Sequence, residues 1–192
     1  MTAREEDILT SPQLLRNGKA IEQVVQACLV DSVLVRDILT GDRNAILMAL
    51  RISGYGKEYK VEMQSPESGD TFEAEFDLTT CKLKYLEHEP IAPCTNACSI
   101  DLPLSKAKVI FKLLTVGEEA QLNAELERIA KATKADKNIT TRLNYQITAV
   151  NDNTDPAYIK AFIENLPVAD SRSYRTLHAK ITPDVDMEQW IH

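Results

Sequence analysis

The chain has 192 residues, of which 44% are hydrophobic and 27% charged, and its formal net charge is −7. This length and composition are ordinary for a globular protein of one or two small domains. The acidic balance argues against nucleic acid as the main partner, because phosphate groups repel a negatively charged surface.

Helical signals dominate residues 1–56. Thr2, followed three residues later by Glu5, predicts a capping box. Residues 44–53 have almost no polar face, so we expect a buried helix there, with Asp42 as its cap. One further apolar stripe follows the helical spacing i, i+3, i+4, i+7 and i+8, at Ile21, Val24, Val25, Cys28 and Leu29.

Residues 57–115 change to the alternation that is typical of strands. Residues 57–64 and 71–78 each alternate apolar with charged side chains, so they predict two half-buried strands. Turn-forming residues at 65–70 join them into a hairpin. We expect 82–86, 99–102 and 108–114 to complete one small antiparallel sheet.

The helical pattern returns in residues 116–192. Thr115 and Glu118 predict a second capping box, and a helix is expected at 139–150. Asp155 and Asp170 are expected to cap the last two helices. The overall prediction is an α+β fold with an N-terminal helical segment at 1–56, a β subdomain at 57–115 and a C-terminal helical bundle at 116–192, forming one or two compact domains.

No catalytic motif is found in the sequence. The six glycines do not form a phosphate-binding loop. His88, His178 and His192 have no neighbour that belongs to a known nucleophile motif. We therefore predict a protein that is not an enzyme and that needs no cofactor.

The cysteines allow one hypothesis of a metal site. The acidic start of the chain is unlike a signal peptide, and no apolar run approaches the ~18 residues that cross a bilayer. We therefore expect no membrane association and action in a cytoplasm, where cysteines are thiols or metal ligands. Cys81, His88, Cys94 and Cys98 are the conceivable zinc ligands. Their irregular spacing favours the alternative of no metal.

Candidate partner-binding residues lie in the C-terminal part. Trp190 is the single tryptophan, and tryptophan is frequent at interface hot spots. Lys131, Lys134, Lys137 and Arg142 form a basic cluster that either meets an acidic partner or is a solvated helix face. The edge of the small sheet and the last two helices are further candidates, because a sheet edge accepts an added strand.

The sequence also resembles the T-even-type bacteriophage baseplate protein family, found in contractile-tail phages and prophages. The resemblance is carried by TAREEDILTS at 2–11, CLVD at 28–31, LTGDRNAIL at 39–47, ALRISGYG at 49–56, LPVADSR at 166–172 and TPDVD at 182–186. Several of the N-terminal segments resemble the helical core of that family. The family's Cys-Pro-x-Cys-Gly turn, similar to half of a zinc ribbon, corresponds here to Ser65-Pro66-Glu67-Ser68-Gly69, which lacks the metal ligands.

The resemblance implies a non-enzymatic role in assembling or forming the hub of the tail baseplate. Implied partners are other baseplate and tail proteins, and copies in a ring around the tail axis are one expected arrangement. The alternatives are a transient chaperone of the tape-measure protein and a small zinc-binding module. The expected location is the virion tail, or the host cytoplasm during assembly.

Overall fold

The computed structural model describes residues 1–65, 69–86, 88–92, 95–132 and 137–188. The described residues form helices and small antiparallel sheets joined by loops, which confirms the predicted α+β class. The chain divides into two units. The first contains the described residues of 1–35, 41–84 and 183–188, and the second contains the described residues of 36–40 and 85–182.

The helices of the first unit lie in the N-terminal part of the chain. They are α1 (Ala3–Thr10), α2 (Pro12–Arg16), α3 (Ala20–Cys28) and α4 (Thr40–Tyr55). At the start of α1, the Glu5 carboxylate accepts hydrogen bonds from the Thr2 backbone N–H and the Thr2 hydroxyl, each at 2.6 Å. Val24 and Val25 on α3 are buried, as the apolar stripe predicted, whereas Ile21 is 46% exposed.

Helix α4 corrects two predictions. It begins at Thr40, so Asp42 lies inside its first turn and does not precede the helix. The expectation of a fully buried helix is wrong, because Gly41 is its only buried residue. Most of the apolar side chains of α4 are half-buried, since the elements of the first unit cover only part of the helix surface.

The strands of the first unit form two separate two-stranded sheets. Strand β1 (Glu58–Gln64) pairs with β2 (Thr71–Asp77) as the predicted hairpin. Strand β3 (Lys82–Lys84) pairs with β7 (Asp184–Asp186), from the far end of the chain. The prediction of one central sheet is therefore wrong, because the hairpin, the β3–β7 pair and a third sheet are distinct in the described residues.

The second unit is a three-stranded sheet packed with helices. Its strands are β4 (Ala97–Asp101), β5 (Lys108–Lys112) and β6 (Ile147–Val150), in the order β4–β5–β6. Its helices are α5 (Val116–Ala132), α6 (Asn138–Gln146), α7 (Pro156–Glu164) and α8 (Val168–Ile181). The helix predicted over 139–150 is too long: it ends at Gln146, and β6 follows because Ile147, Ala149 and Val150 are buried beside β5.

The hydrophobic core of the second unit gathers around Phe111 and Tyr174. Both are almost fully buried, and their rings meet edge to face with centroids 5.1 Å apart. The Tyr174 hydroxyl donates a hydrogen bond of 3.2 Å to Gln146 Oε1. Burial raises the pKa of Tyr174 well above its ordinary value, so this hydroxyl is neutral and serves to satisfy a polar group inside the core.

Two of the three caps predicted in this unit are confirmed. Thr115 and Glu118 form a reciprocal capping box at the start of α5, and Asp155 accepts hydrogen bonds at the start of α7. The third prediction is wrong, because Asp170 is the third residue of α8 and does not cap it. Its carboxylate instead accepts the backbone N–H groups of Leu104 and Ser105, both at 2.8 Å.

Candidate protein-docking surface

The β1–β2 hairpin has one apolar face. In its register Tyr59 is opposite Phe76, Val61 opposite Ala74, and Met63 opposite Phe72. Directly opposed residues of an antiparallel pair lie on the same face. These six apolar side chains therefore form one surface, which we call the hairpin face.

The hairpin face is only partly covered. Ala74 is buried, but Tyr59 is 45% exposed and Met63 and Phe72 are each 37% exposed. An isolated two-stranded hairpin is at best marginally stable in water and needs a packed apolar face. The hairpin face is therefore the strongest candidate for a surface that a partner protein covers.

The opposite face of the hairpin is acidic. It carries Glu58 opposite Asp77 and Glu62 opposite Glu73, two pairs of like charge, and Lys60 opposite Glu75. Like charges directly opposite each other are destabilising. Lys60 Nζ lies 3.7 Å from a Glu73 oxygen and 3.6 Å from a Glu75 oxygen, so one ammonium group is shared between two carboxylates.

A further lysine lies at the base of the hairpin. Lys57 Nζ donates a hydrogen bond of 2.9 Å to the Asp77 carboxylate. This bond, together with those from the hydroxyl and backbone N–H of Thr79, lowers the pKa of Asp77 to about 2. Asp77 is therefore ionised throughout the physiological range.

Arg51 fixes the end of α4 to the beginning of β1. Its guanidinium group donates hydrogen bonds to the carbonyl oxygens of Gly56 at 2.9 Å and Glu58 at 3.1 Å. It also lies over the rings of Tyr55 and Tyr59, at 5.3 and 5.7 Å from their centroids. These contacts order one end of the hairpin face before any partner arrives.

A second exposed apolar feature is the loop 29–34. Val30 is 99% exposed, and Val33 and Leu34 are 44% and 43% exposed. The Gln26 side chain donates to the Val33 carbonyl at 3.1 Å and accepts from the Val35 N–H at 2.9 Å. The loop thus presents apolar side chains on an ordered backbone. By resemblance, 28–31 was expected to belong to the helical core of the family.

Two of the four predicted basic residues form ion pairs with glutamates of the second unit. Arg142 Nη1 lies 2.9 Å from Glu119 Oε1, and Lys131 Nζ lies 3.8 Å from Glu127 Oε2. Lys137 borders an open groove of about 760 Å³ formed by residues of α5, α6 and α7. Lys134, like Trp190, lies outside the described residues, so a partner-binding role for these positions stays a prediction.

The four hypothesised zinc ligands are only partly described. Cys98 is fully buried in the core of the second unit, and burial raises the pKa of its thiol. Cys81 and His88 are half-buried, and Cys94 lies outside the described residues. Within the part of the chain that the structure describes, no group of three or more His, Cys, Asp or Glu side chains could hold a metal ion.

Among the described residues, no helix combines the length and the apolar character needed to cross a bilayer.

Comparison with known proteins adds one finding. Residues 1–96 match the family model described as T4 bacteriophage base plate protein. No curated protein and no solved structure gives a significant match. The matched half of the chain contains the hairpin face, Arg51 and the loop 29–34, whereas the two C-terminal segments that carried the resemblance lie outside it.

Proposed function

The chain belongs to the T4 bacteriophage base plate protein family, and we propose that it acts in the hub of the baseplate, where it builds or assembles the hub through contacts with other tail proteins. As a member of that family it is a structural protein of the phage tail, with other baseplate proteins as partners. The assignment to the hub, and the absence of any enzymatic activity, are the parts that we propose.

One observation supports this proposal above the others. The half of the chain that matches the family carries apolar surface that the first unit itself leaves uncovered, on the hairpin face and in the loop 29–34. Apolar surface removed from water contributes about 25 cal/mol per Å². A partner protein that covers these side chains would therefore gain binding free energy without any rearrangement of the hairpin.

The proposal is tested in phage particles. Purified mature particles are analysed by quantitative mass spectrometry, and copies of the chain are counted against the tail tube protein. Several copies per particle, located by crosslinking beside hub proteins, are expected. Crosslinks confined to the outer baseplate would overturn the assignment to the hub.

A matched pair of variants tests whether incorporation of the chain into phage particles depends on the hairpin face. Replacing both Met63 and Phe72 by Ser is expected to reduce incorporation strongly, because it removes exposed apolar contacts. The control replaces Leu104, which is 63% exposed in the second unit, by Ser and should leave incorporation unchanged. Equal incorporation of both variants would show that the hairpin face is not used.

A transient chaperone of the tape-measure protein is the second candidate. It is favoured by the open groove of the second unit, to which Ile129, Ile139 and Tyr145 contribute apolar surface. A groove of this kind suits an amphipathic helix. This candidate predicts co-purification with tape-measure fragments, loss of that binding on Ile139→Glu, and absence of the chain from mature particles.

The zinc-binding alternative is not supported by any group of three or more His, Cys, Asp or Glu side chains among the described residues. It is tested by metal analysis of protein purified without chelators or added zinc. One zinc ion per chain that is lost on Cys81→Ser would support the zinc-binding alternative. A metal content near zero would exclude it.

A further inference from the structure

The hairpin has two outer edges, and the hydrogen bonds show which residues face them. Ser65 N–H donates to the Asp70 carbonyl, and Leu78 N–H donates to the Lys57 carbonyl, both at 2.9 Å. Bonded and non-bonded pairs alternate along an antiparallel ladder. Tyr59, Val61 and Met63 therefore bond to their opposite residues, while Glu73 and Glu75 direct their backbone N–H and C=O groups away from β1.

The edge of β1 is partly occupied. Arg51 donates to the outward carbonyl of Glu58 at 3.1 Å, which agrees with the direction assigned from the ladder. On β2, the outward carbonyl of Asp77 accepts the Thr80 hydroxyl at 2.7 Å. Among the described residues β2 pairs only with β1, so the outward backbone groups of Thr71, Glu73 and Glu75 form an accessible edge.

The side chains along this edge define which strand would fit it. A strand added to β2 would place two residues directly opposite Glu73 and Glu75, on the acidic face of the hairpin. The residue between them would lie beside Ala74 and extend the hairpin face. Charge and polarity are thus both matched by a strand in which Lys or Arg alternates with apolar residues.

The first unit already contains one pairing of this kind. In the β3–β7 pair, Lys82 is opposite Asp186 and Lys84 is opposite Asp184, and Leu83 is opposite Val185 between them. An acidic–apolar–acidic strand therefore pairs with a basic–apolar–basic strand inside this protein. The Glu73-Ala74-Glu75 sequence of β2 has the same pattern as β7, but it lacks the basic strand.

We propose that the outer edge of β2 binds an extended segment of another tail protein, in which basic and apolar residues alternate, as an added third strand of the hairpin. Such a strand would give the backbone of Glu73 and Glu75 its hydrogen-bond partners. It would also bring cations to a face on which two pairs of carboxylates are directly opposed. Strand addition to an exposed edge is a common way of binding extended peptides.

Pairing of β2 with β2 of a second copy fits less well. In that arrangement the carboxylates of the two acidic strands would approach each other, and like charges opposite each other destabilise a sheet. The net charge of −7 also opposes self-association. These arguments favour a basic partner over a second copy at this edge.

The test uses the whole purified protein and a synthetic peptide, Thr-Val-Lys-Val-Lys-Val-Thr. Amide chemical shifts are followed by NMR during a titration with this peptide. The expected result is saturable binding with the largest changes at the amides of 71–76. Amide shift changes that leave 71–76 unaffected, or that spread over all acidic surfaces, would overturn strand addition.

Two controls separate hydrogen bonding from charge. The first is the same peptide with N-methyl groups on the amides that would bond to β2, which keeps both lysines but blocks the ladder; it should not bind. The second is the double variant E73K/E75K, which should weaken binding of the lysine peptide about tenfold and restore binding to a peptide with Glu in place of Lys. Full binding of the N-methylated peptide would contradict the proposal.

A second copy as the occupant is tested with the same proteins. Sedimentation of the unmodified chain should show no association that depends on Glu73 and Glu75. Association abolished by E73K/E75K would overturn the proposal in favour of a second copy. The inference rests on the proposed function only in naming the partner as a tail protein. If the peptide does not bind, strand addition is wrong, but the number of copies counted in phage particles still tests the proposed function independently.

Discussion

The two units of this protein use their apolar residues differently. Phe111 in the second unit is fully buried between its sheet and α8, whereas Phe72 in the first unit is 37% exposed on a two-stranded hairpin. The second unit has a continuous core of buried residues from β4, β5, β6 and the helices. In the first unit, α1 and α2 contain no buried residue and α4 contains one.

This difference indicates that apolar residues of the second unit serve mainly its folding, whereas exposed apolar residues of the first unit serve assembly with a partner. The second unit buries a continuous set of apolar side chains among its own elements, and these residues serve packing. The first unit, which carries most of the family-matched segment, leaves apolar side chains half-covered on several elements. Incomplete burial of this kind is typical of a surface that a partner completes.

The largest expected effect is that of Phe111→Ala. The change removes a fully buried ring that contacts Tyr174, and Phe→Ala in a core typically costs about 3–5 kcal/mol. Urea unfolding followed by circular dichroism should show this loss. A cost below about 1 kcal/mol would mean that the second unit is not a packed core.

Phe72→Ala is the matched change in the first unit. Because the ring is partly exposed and leaves no enclosed cavity, we expect a loss of about 1 kcal/mol or less in the same unfolding experiment. Incorporation into particles should nevertheless fall. If both Phe→Ala changes destabilised the protein equally, the contrast between the units would be wrong.

The next effect concerns a buried charge in the second unit. Asp170 is fully buried and accepts two backbone N–H groups. Asp170→Asn replaces the carboxylate by a neutral amide with one acceptor oxygen, so at least one of these donors loses its acceptor, and we expect a loss of about 1–3 kcal/mol at pH 7. The control is Asp152→Asn, an exposed turn residue, which should leave the urea midpoint unchanged.

The cost of Asp170→Asn should depend on pH. Burial acts to raise the pKa of Asp170, but the hydrogen bonds from Leu104 and Ser105 outweigh it, and the pKa lies below the ordinary value of 3.8. A carboxyl with a lowered pKa contributes stability above its unfolded pKa and loses it as the pH falls through its folded pKa. The difference between wild type and variant should therefore be constant above about pH 5 and shrink below pH 3.8; a difference that grows on acidification would contradict this assignment.

Much of the local structure was predictable, because it depends on neighbours in the sequence. The hairpin follows from strict alternation over 57–64 and 71–78, and the caps at Thr115 and Asp155 follow from residues within one turn. Asp170 was assigned wrongly because a helix-starting aspartate is usually a cap. Its actual acceptor role depends on a turn at 104–105, distant in sequence.

The long-range pairings were not predictable from periodicity. Ile147–Val150 looked like the end of a helix, since four residues do not distinguish a strand from a helical turn. The partner of β3 is β7, for which no strand was predicted. The complementary charges of Lys82, Lys84, Asp184 and Asp186 are a signal of this pairing, but charge pairs alone do not select one partner among several. The hairpin face was predictable in part, because alternation shows which residues share a face and does not show how far that face is covered.

A moderate effect is expected where the C-terminal strand meets α4 in the first unit. A Cβ atom added at Gly41 would lie 1.8 Å from the Pro183 carbonyl oxygen, a backbone atom that cannot move aside independently. Gly41→Ala should therefore displace 183–186 and cost about 1–3 kcal/mol. It should also make the chain at 183–186 more susceptible to proteolysis.

Gly54→Ala on the same helix is the control for that change. Its nearest neighbour would be the terminal methyl group of Met1 at 2.7 Å, which rotates away readily. Because Ala favours a helix over Gly by up to about 1 kcal/mol, this variant should be as stable as wild type or slightly more so. Similar destabilisation by both changes would show that the effect of Gly41 is one of helix propensity and not of close contact with Pro183.

The smallest effect is expected for the exposed ion pair of the hairpin, and it sharpens the contrast with Asp170. The side chains of Lys57 and Asp77 are 57% and 35% exposed, and exposed ion pairs contribute little to folding. Lys57→Gln should raise the pKa of Asp77 from about 2 towards 3.8 in an NMR titration. Because a lowered carboxyl pKa contributes stability at neutral pH, the urea midpoint at pH 7 should fall, but only slightly for so exposed a pair. Lys60→Gln is the matched control, because Lys60 lies beside Glu73 and Glu75 and should not change the Asp77 titration. A shifted pKa with only a small loss of stability would show that the charges of the hairpin contribute little to folding and remain available for the basic strand that we propose, whereas a large loss of stability would assign them to the fold.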